Sequence, residues 1–306
     1  MQWRLCFGVM ACVFLPAVLP AALSEQQRAA IDKITGVKGV YTAGEDVHKV
    51  SFPRMDVKVA VDRWPMHPFM GLTSWAAFTS GGDAGALVMG DLVLLEDEVN
   101  PVLSAALDNG LEVTALHNHF FFDTPRVMFM HIGGGGPVER LAAGVRQAMD
   151  TVKQIRNAAP APASHFDGPA ISEKSSITAG PLDAVLGVKG QANNGMYKAT
   201  FGRQARMHGR EIGNQMGVNT WAAFAGSDDN AFVDGDVAML VSELQGVLKA
   251  LRQAGIGIVA IHNHMTHEEP QYVFLHYWGK GPAAALARGV RAALDTQSKS
   301  SRGGER

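Results

Sequence analysis

Apolar and polar positions alternate along this chain in two different periods, and each recurs in a second place. Val99, Val102, Leu103 and Ala106 fall at i, i+3, i+4 and i+7, as do Leu244, Val247, Leu248 and Leu251. That spacing puts one apolar stripe on a helix. Asp97 and Ser242 stand at the N-cap positions, with Gln245 completing a capping box in the second case. Gly110 and Gly255 end both helices. Glu98 and Glu243 fall in the first turn, where a carboxylate favours the helix dipole. A short helix is expected over Glu25 to Ile34, and a last helix carries Leu141, Val145, Ala148 and Met149 on one face.

Met55 to Val61 alternates with period two and predicts a strand. Trp75 to Phe78, with its verbatim copy Trp221 to Phe224, suits a buried strand by length and bulk, and Leu87 to Leu95 with Phe232 to Leu240 are further strands. The Gly90-Asp91 and Gly235-Asp236 steps inside the last pair read as β-bulges. Leu111 to His119 and Ile256 to His264 are further strands, returning after turns at Asp123-Thr124-Pro125 and Glu268-Glu269-Pro270 as Val127 to Ile132 and Tyr272 to Tyr277. The core order in each half, β-α-β-β-α, fits a ferredoxin-like split βαβ unit. The fold class expected is therefore α+β: two tandem homologous repeats, each an antiparallel or mixed sheet with two packed helices.

The duplication itself is measurable. Residues 117–150 and 262–295 align without a gap and share 16 of 34 positions, against about two for unrelated sequence of average composition. The expected organisation is a signal peptide over 1–24, repeat 1 over 25–156, a linker over 157–179, repeat 2 over 180–298 and a disordered tail over 299–306.

Composition narrows the setting. The chain has 306 residues, 47% hydrophobic and 18% charged, with a formal net charge of −2, values of a globular protein without a nucleic-acid-binding charge excess. Arg4, the apolar run Leu5 to Leu19 and Pro20 followed by Ala22-Leu23-Ser24 read as a secretory signal cut near Ser24. The product would be periplasmic or secreted, with no transmembrane span in the mature chain. Both cysteines, Cys6 and Cys12, fall inside that signal, which excludes disulfides and thiolate chemistry from the mature protein.

The candidate chemistry is histidine. His117-Asn118-His119 returns as His262-Asn263-His264, each followed at the same distance by another, His131 and His276. A hairpin centred on Thr124 would set His117 opposite His131, and the second copy would likewise pair His262 with His276. Three imidazoles then share one face of the sheet. His117, His119, His131, His262, His264 and His276 are thus the candidate ligands of a divalent metal, zinc foremost. Asp123, Glu268, Glu269 and His267 are candidates for a fourth ligand, a group supporting a ligand, or a general base. The run Gly133 to Gly136 is expected to open directly onto a helix, so Gly134, Gly135 and Gly136, with Lys280 from the second copy, form a candidate anion site. No nucleotide cofactor is expected, because the P-loop ending is missing. Trp75, Trp221 and Trp278 could line a glycan or apolar pocket, with core packing the plainer reading. If one copy alone is active, the first is preferred, for Asp123 and its polyglycine run.

With the phrase Thr114-Ala115-Leu116-His117-Asn118-His119, the paired Trp-Ala-Ala-Phe segments and the Leu-Ala-x-Gly-Val-Arg helix in view, the chain resembles the LppY/LpqO-type exported proteins, a domain of unknown function. The resemblance covers nearly all of the mature chain and implies export; it brings no reaction and no catalytic residues. Two functions follow from the residues: an exported metal-binding protein, extending to a metal-dependent hydrolase, or a non-enzymatic protein that binds a small molecule or envelope component and whose histidines are structural.

Overall fold

The computed structural model describes residues 22–81 and 85–297. Residues 1–21 of the expected 1–24 signal, the centre of the 79–85 loop and the expected 299–306 tail lie outside these. Repeat 1 runs α1 (Glu25–Thr35), β1 (Val40–Thr42), β2 (Val47–Pro53), β3 (Ala60–Val61), β4 (Trp64–Pro65), β5 (Thr73–Ser80), β6 (Ala86–Leu95), α2 (Glu96–Asp108), β7 (Glu112–His117), β8 (Asp123–Thr124), β9 (Val127–Gly136) and α3 (Val138–Ala158). Repeat 2 runs α4 (Ala179–Leu186), β10 (Gln191–Asn193), β11 (Met196–Gly202), β12 (Ala205–Met207), β13 (Arg210–Ile212), β14 (Asn219–Gly226), β15 (Ala231–Leu240), α5 (Leu244–Gln253), β16 (Gly257–His262), β17 (Glu268–Glu269), β18 (Tyr272–Gly281) and α6 (Ala283–Asp295).

The two halves share a single 12-stranded sheet, ordered β1-β2-β5-β6-β9-β7-β16-β18-β15-β14-β11-β10. Every named pair in it is antiparallel, and β9 lies between β6 and β7, which is the split βαβ arrangement expected from the sequence. All six helices contribute side chains to one continuous core on one face, from Ile31 through Leu103 and Leu141 to Leu248 and Leu286. The other face carries two small clusters, one around Phe129 and one around Phe274. The two three-stranded sheets, β4-β3-β8 and β13-β12-β17, lie apart from the large one.

The halves meet at β7 and β16 through a single ladder pair, Leu116 with Ile261. Backbone groups that this short seam leaves over are taken by side chains. The Gln245 amide bonds Val113 N–H and C=O at 3.0 and 2.9 Å, and the Asn100 amide bonds Ile258 N–H and C=O at 2.7 and 3.2 Å. Gln245 is therefore no capping residue. The α2 cap is Leu95, whose N–H Glu98 accepts at 2.8 Å, and Glu243 does the same for Leu240 at 2.9 Å. Asp97 and Ser242 are displaced from the N-cap because the chain turns into helix earlier than the apolar stripe begins.

Other local expectations shift too. Of Met55 to Val61 only Ala60–Val61 is strand. The Gly-Asp steps are not bulges: the β6·β9 and β15·β18 ladders run through them unbroken, and the irregularities fall at Val113/Ala115 and Ile258/Ala260. The glycines are there for room. A Cβ on Gly235 would lie 2.2 Å from Tyr277 Oη and 2.4 Å from the Trp221 carbonyl oxygen. Tyr277 is fully buried and its hydroxyl donates to that same carbonyl at 3.0 Å. Gly235→Ala should lower the unfolding free energy by about 1–3 kcal/mol, the usual cost of overpacking, seen as a lower denaturant midpoint with unchanged slope. A midpoint equal to the parent's would contradict this packing.

Leu23 is buried and its N–H donates to Asp46 Oδ1 at 2.9 Å, while Ser24 caps α1 in a capping box with Gln27. A cut after Ser24 would remove both. The 157–179 segment is tied along repeat 2: Phe166 stacks on Trp278, and Ser176 N–H donates to the Gly226 carbonyl at 2.7 Å.

Candidate metal centre

The histidines sit on the face of the sheet that the helices leave uncovered. β7 alternates Val113 and Leu116 into the core, across an irregularity, and turns His117 outward; His131 follows Met130 and precedes Ile132, both core residues. The register differs from the expected one by two residues. His117 pairs with Phe129 and Ala115 with His131; His262 pairs with Phe274 and Ala260 with His276. A shift of two keeps each side chain on its face, so the clustering survives. His131 stacks beside His117 with centroids 5.1 Å apart, and His276 beside His262 at 4.7 Å. His119 and His264 lie flat on Phe129 and Phe274 at 3.4 and 3.5 Å.

What the register brings in is an aspartate. Asp91 is paired with His131 and Asp236 with His276, so both carboxylates stand on the histidine face. In repeat 2, ligand atoms of Asp236, His262 and His264 all lie within 4.8 Å of one another. His264 Nε2 is 3.0 Å from Asp236 Oδ2, and its Nδ1 is 3.2 Å from the Gly217 carbonyl oxygen. Donation from Nδ1 to that carbonyl leaves Nε2 as the lone-pair nitrogen, the tautomer that a metal requires. His262 Nε2 is buried with no hydrogen-bond partner among the described residues. In repeat 1 the His117 and His119 Nε2 atoms are 3.1 Å apart and Asp91 Oδ1 is the buried unpartnered atom.

The second-half spacings fit an ion, while among the described residues Asp91, His117 and His119 do not all draw within the same distance. Bonds of about 2.0–2.1 Å in tetrahedral geometry set two ligand atoms about 3.3 Å apart. Desolvation, reinforced by neighbouring imidazoles, holds His117 below the ordinary histidine value. Desolvation likewise lowers His119 against the pull of Asp91, and His262 against that of Asp236. Neutral imidazoles are the form that ligates. The third histidine of each set stands differently. The His276 ring stacks on His262 at an 18° interplanar angle with Nδ1 3.3 Å from the Gly235 carbonyl oxygen. Near-parallel stacked rings do not aim in-plane lone pairs at one point.

The remaining candidates are placed elsewhere. Asp123 and Glu268 occupy the same turn position and accept from the N–H four residues on, Val127 at 2.7 Å and Tyr272 at 3.0 Å. They close turns that each hold a cis proline, Pro125 or Pro270. Glu269 is exposed and in register with Arg206 on β12. His267, at φ 69°, packs near His208 with ring centroids 6.0 Å apart. Gly133 to Gly136 lead straight to a helix, since Pro137 caps α3, but they themselves extend β9 and pair with Met89 through Ala86 of β6, so Gly134, Gly135 and Gly136 lie in a ladder. The Lys280 ammonium donates to the Asp167 and Gly168 carbonyls, both at 3.1 Å, which fastens the linker. With Asp123 closing a turn and the glycines in a strand, both grounds for preferring the first copy fall away.

Nothing in the sequence ties Asp91 and Asp236 to the histidines, and the Gly-Asp step, identical in both halves, reads there as backbone geometry. Trp75 and Trp221 likewise read there as core. They are half-buried on the open face, in register with Asp91 and Asp236, each with a lysine ammonium, Lys49 or Lys198, 4.1 Å from its ring centroid.

Comparison with known proteins gives a family and little more. The family described as Domain of Unknown Function (DUF1259) matches residues 29–151 and 180–296, the two structural halves. No curated protein matches the chain. A solved structure, that of the trimeric bacterial microcompartment shell protein PduB, is similar at 13% identity over 84% of this chain and 89% of that one, with a TM-score of 0.21. A likeness that weak carries no argument about fold or assembly.

Proposed function

Because the chain belongs, through both of its halves, to a family of domains of unknown function, DUF1259, we propose its function from the site alone: a divalent-metal-binding protein whose ion is held by Asp236, His262 and His264, with Asp91, His117 and His119 as the counterpart. The observation that carries this reading is the buried His262 Nε2 without a partner, within a group of three ligand-type residues. A buried polar atom left unsatisfied costs about 1–3 kcal/mol, and an ion removes that cost. Two imidazoles and one carboxylate leave a coordination position open, as in catalytic rather than structural zinc sites. Zinc is the ion we favour. An ion bound there supplies Lewis acidity toward a polar ligand.

His131 and His276 complete the sets by stacking on ligand rings. Asp123 and Glu268 close turns, and neither Glu269 nor His267 belongs to the ligand group, so hydrolysis is left without an assigned base. We therefore propose metal-dependent ligand binding ahead of catalysis. No helix among the described residues is long and apolar enough to cross a membrane. We retain export, with kinship to the LppY/LpqO-type proteins, as part of the proposal, and place the cut ahead of Leu23 so that the α1 cap is kept.

The test is metal content of untagged protein after zinc loading and dialysis. One equivalent should be lost on His262→Ala/His264→Ala and the other on His117→Ala/His119→Ala, with circular dichroism unchanged. Zinc near zero in the parent protein, or equal in all three, would sink the reading.

A further inference from the structure

Beside His264 the open face is hollowed into a cleft of about 470 Å³, within the roughly 300–1,000 Å³ of small-molecule sites. Its floor is Thr200 and Trp221, side by side on β11 and β14, and the next position along that row, beyond the lining, is Asp236 on β15. Its walls are amides: Gln191, Asn214, Gln215 and Asn219. Lys198 completes the lining, its ammonium resting on the Trp221 ring, with Asp234 in the same ladder row and within reach of its charge.

The duplication supplies an internal control. Lys49, Ser51, Trp75 and His119 keep the same kinds of group in the first half. The amides are what differ. Gln191 pairs with Lys198 as Val40 pairs with Lys49. The 3₁₀ turn Asn214–Met216, ended by Gly217, matches Pro68–Met70, ended by Gly71. Asn214 and Gln215 thus stand where the first half has Pro68 and Phe69, and Phe69 is fully exposed. The same frame and the same histidines carry an apolar rim in one half and an amide-lined cleft in the other.

We infer that the second-half cleft binds an anionic monosaccharide, carboxylated or phosphorylated, with its charge toward Lys198 and the metal position and its hydroxyls on the amides. This rests on the metal reading for one pole of the charge. A carboxamide both donates and accepts, as does each hydroxyl of a sugar, so a cluster of neutral amides suits a polyhydroxylated ligand better than an apolar or purely ionic one. A divalent ion on one aspartate and two neutral imidazoles keeps a net positive charge, and Lys198 offsets the neighbouring Asp234. An anion is what such a cleft selects.

Calorimetric titration of the zinc-loaded, full mature protein with D-glucuronate, glucose 6-phosphate and glucose tests this. One or both anions should bind at least tenfold more tightly than glucose, and the stronger identifies the substituent. Gln191→Val/Gln215→Phe, which imports the first-half residues at exposed positions, should weaken the anion at least tenfold with zinc content unchanged. Lys198→Met should erase the preference over glucose, and Lys49→Met should change nothing. Zinc bound with no anionic sugar bound, or binding indifferent to the cleft variants, overturns the inference and leaves the metal reading standing. Lys198-dependent sugar binding by a protein that takes up no zinc keeps the cleft and overturns the metal.

Discussion

Glu98→Ala should lower the unfolding free energy by about 3–5 kcal/mol, the cost of stripping one partner from a buried ion pair. Glu98 is fully buried and its two oxygens lie 2.9 and 2.7 Å from Arg54 Nη2 and Nη1. Arg156 Nε is 2.8 Å from Oε1, and the Arg156 guanidinium also meets Asp97. Arg54 extends from the end of β2 and Arg156 from the last turn of α3, so one carboxylate at the start of α2 joins three elements. Removing it leaves two buried guanidinium groups short of a counter-charge. The double variant Arg54→Met/Glu98→Leu should cost less than Glu98→Ala, because it leaves one buried guanidinium group short of Glu98 instead of two, and that one, Arg156, keeps Asp97. Denaturant titration reads this directly; a Glu98→Ala midpoint within experimental scatter of the parent would contradict it. Arg203 and Glu243 form the corresponding pair in the second half, 2.8 Å apart.

Zinc should stabilise the folded protein by about 2.7 kcal/mol at a hundredfold excess over its dissociation constant and about 4.1 at a thousandfold, and acid should remove the effect. His117, His119 and His262 titrate below the ordinary value, chiefly from desolvation. A group whose folded pKa lies below its unfolded one adds its stability in full above the unfolded value, about pH 6.5 for histidine. That stability is lost as the pH falls toward the folded value, because the unfolded chain takes up its protons first. Metal-free protein should therefore weaken below about pH 6.5. The zinc increment should decline over the same window, since each proton bound displaces a ligand lone pair. Melting curves from pH 8 to 5, with and without zinc, measure both. A zinc increment at pH 5 equal to that at pH 8 would place the ion somewhere other than on imidazoles.

The elements were legible where a single face decides the pattern. α2 and α5 show their stripe because one side packs on the sheet and the other is wet, and the duplication let each copy check the other. Met55 to Val61 alternates in the same way but forms strand only at Ala60–Val61, because few partners are within reach outside the large sheet. At the site, the histidines were legible from spacing and their shared face followed from pleat alone, so a wrong register did no harm. The aspartates were not, since their relation to the histidines exists only across β6–β9 and β15–β18, pairings of high sequence separation. The glycine run does lead into a helix, but its place in the β6–β9 ladder was not legible, because strand-to-helix turns and tightly packed strands both ask for glycine. Gln245 misled because its amide satisfies a strand of the other half rather than its own helix.

The Asn100 and Gln245 amides make the seam isologous: each half offers an amide to the other and receives one at the matching place. A seam of that kind can be built by two separate copies of one sequence as readily as by two halves of one chain. Joining the copies covalently removes the requirement that both stay alike. Away from the seam the two faces are then free to part company, one toward carboxamides at 214 and 215 and the other toward Pro68 and Phe69. Asymmetry on a symmetric frame is the property that a fused pair has and a dimer of identical chains lacks.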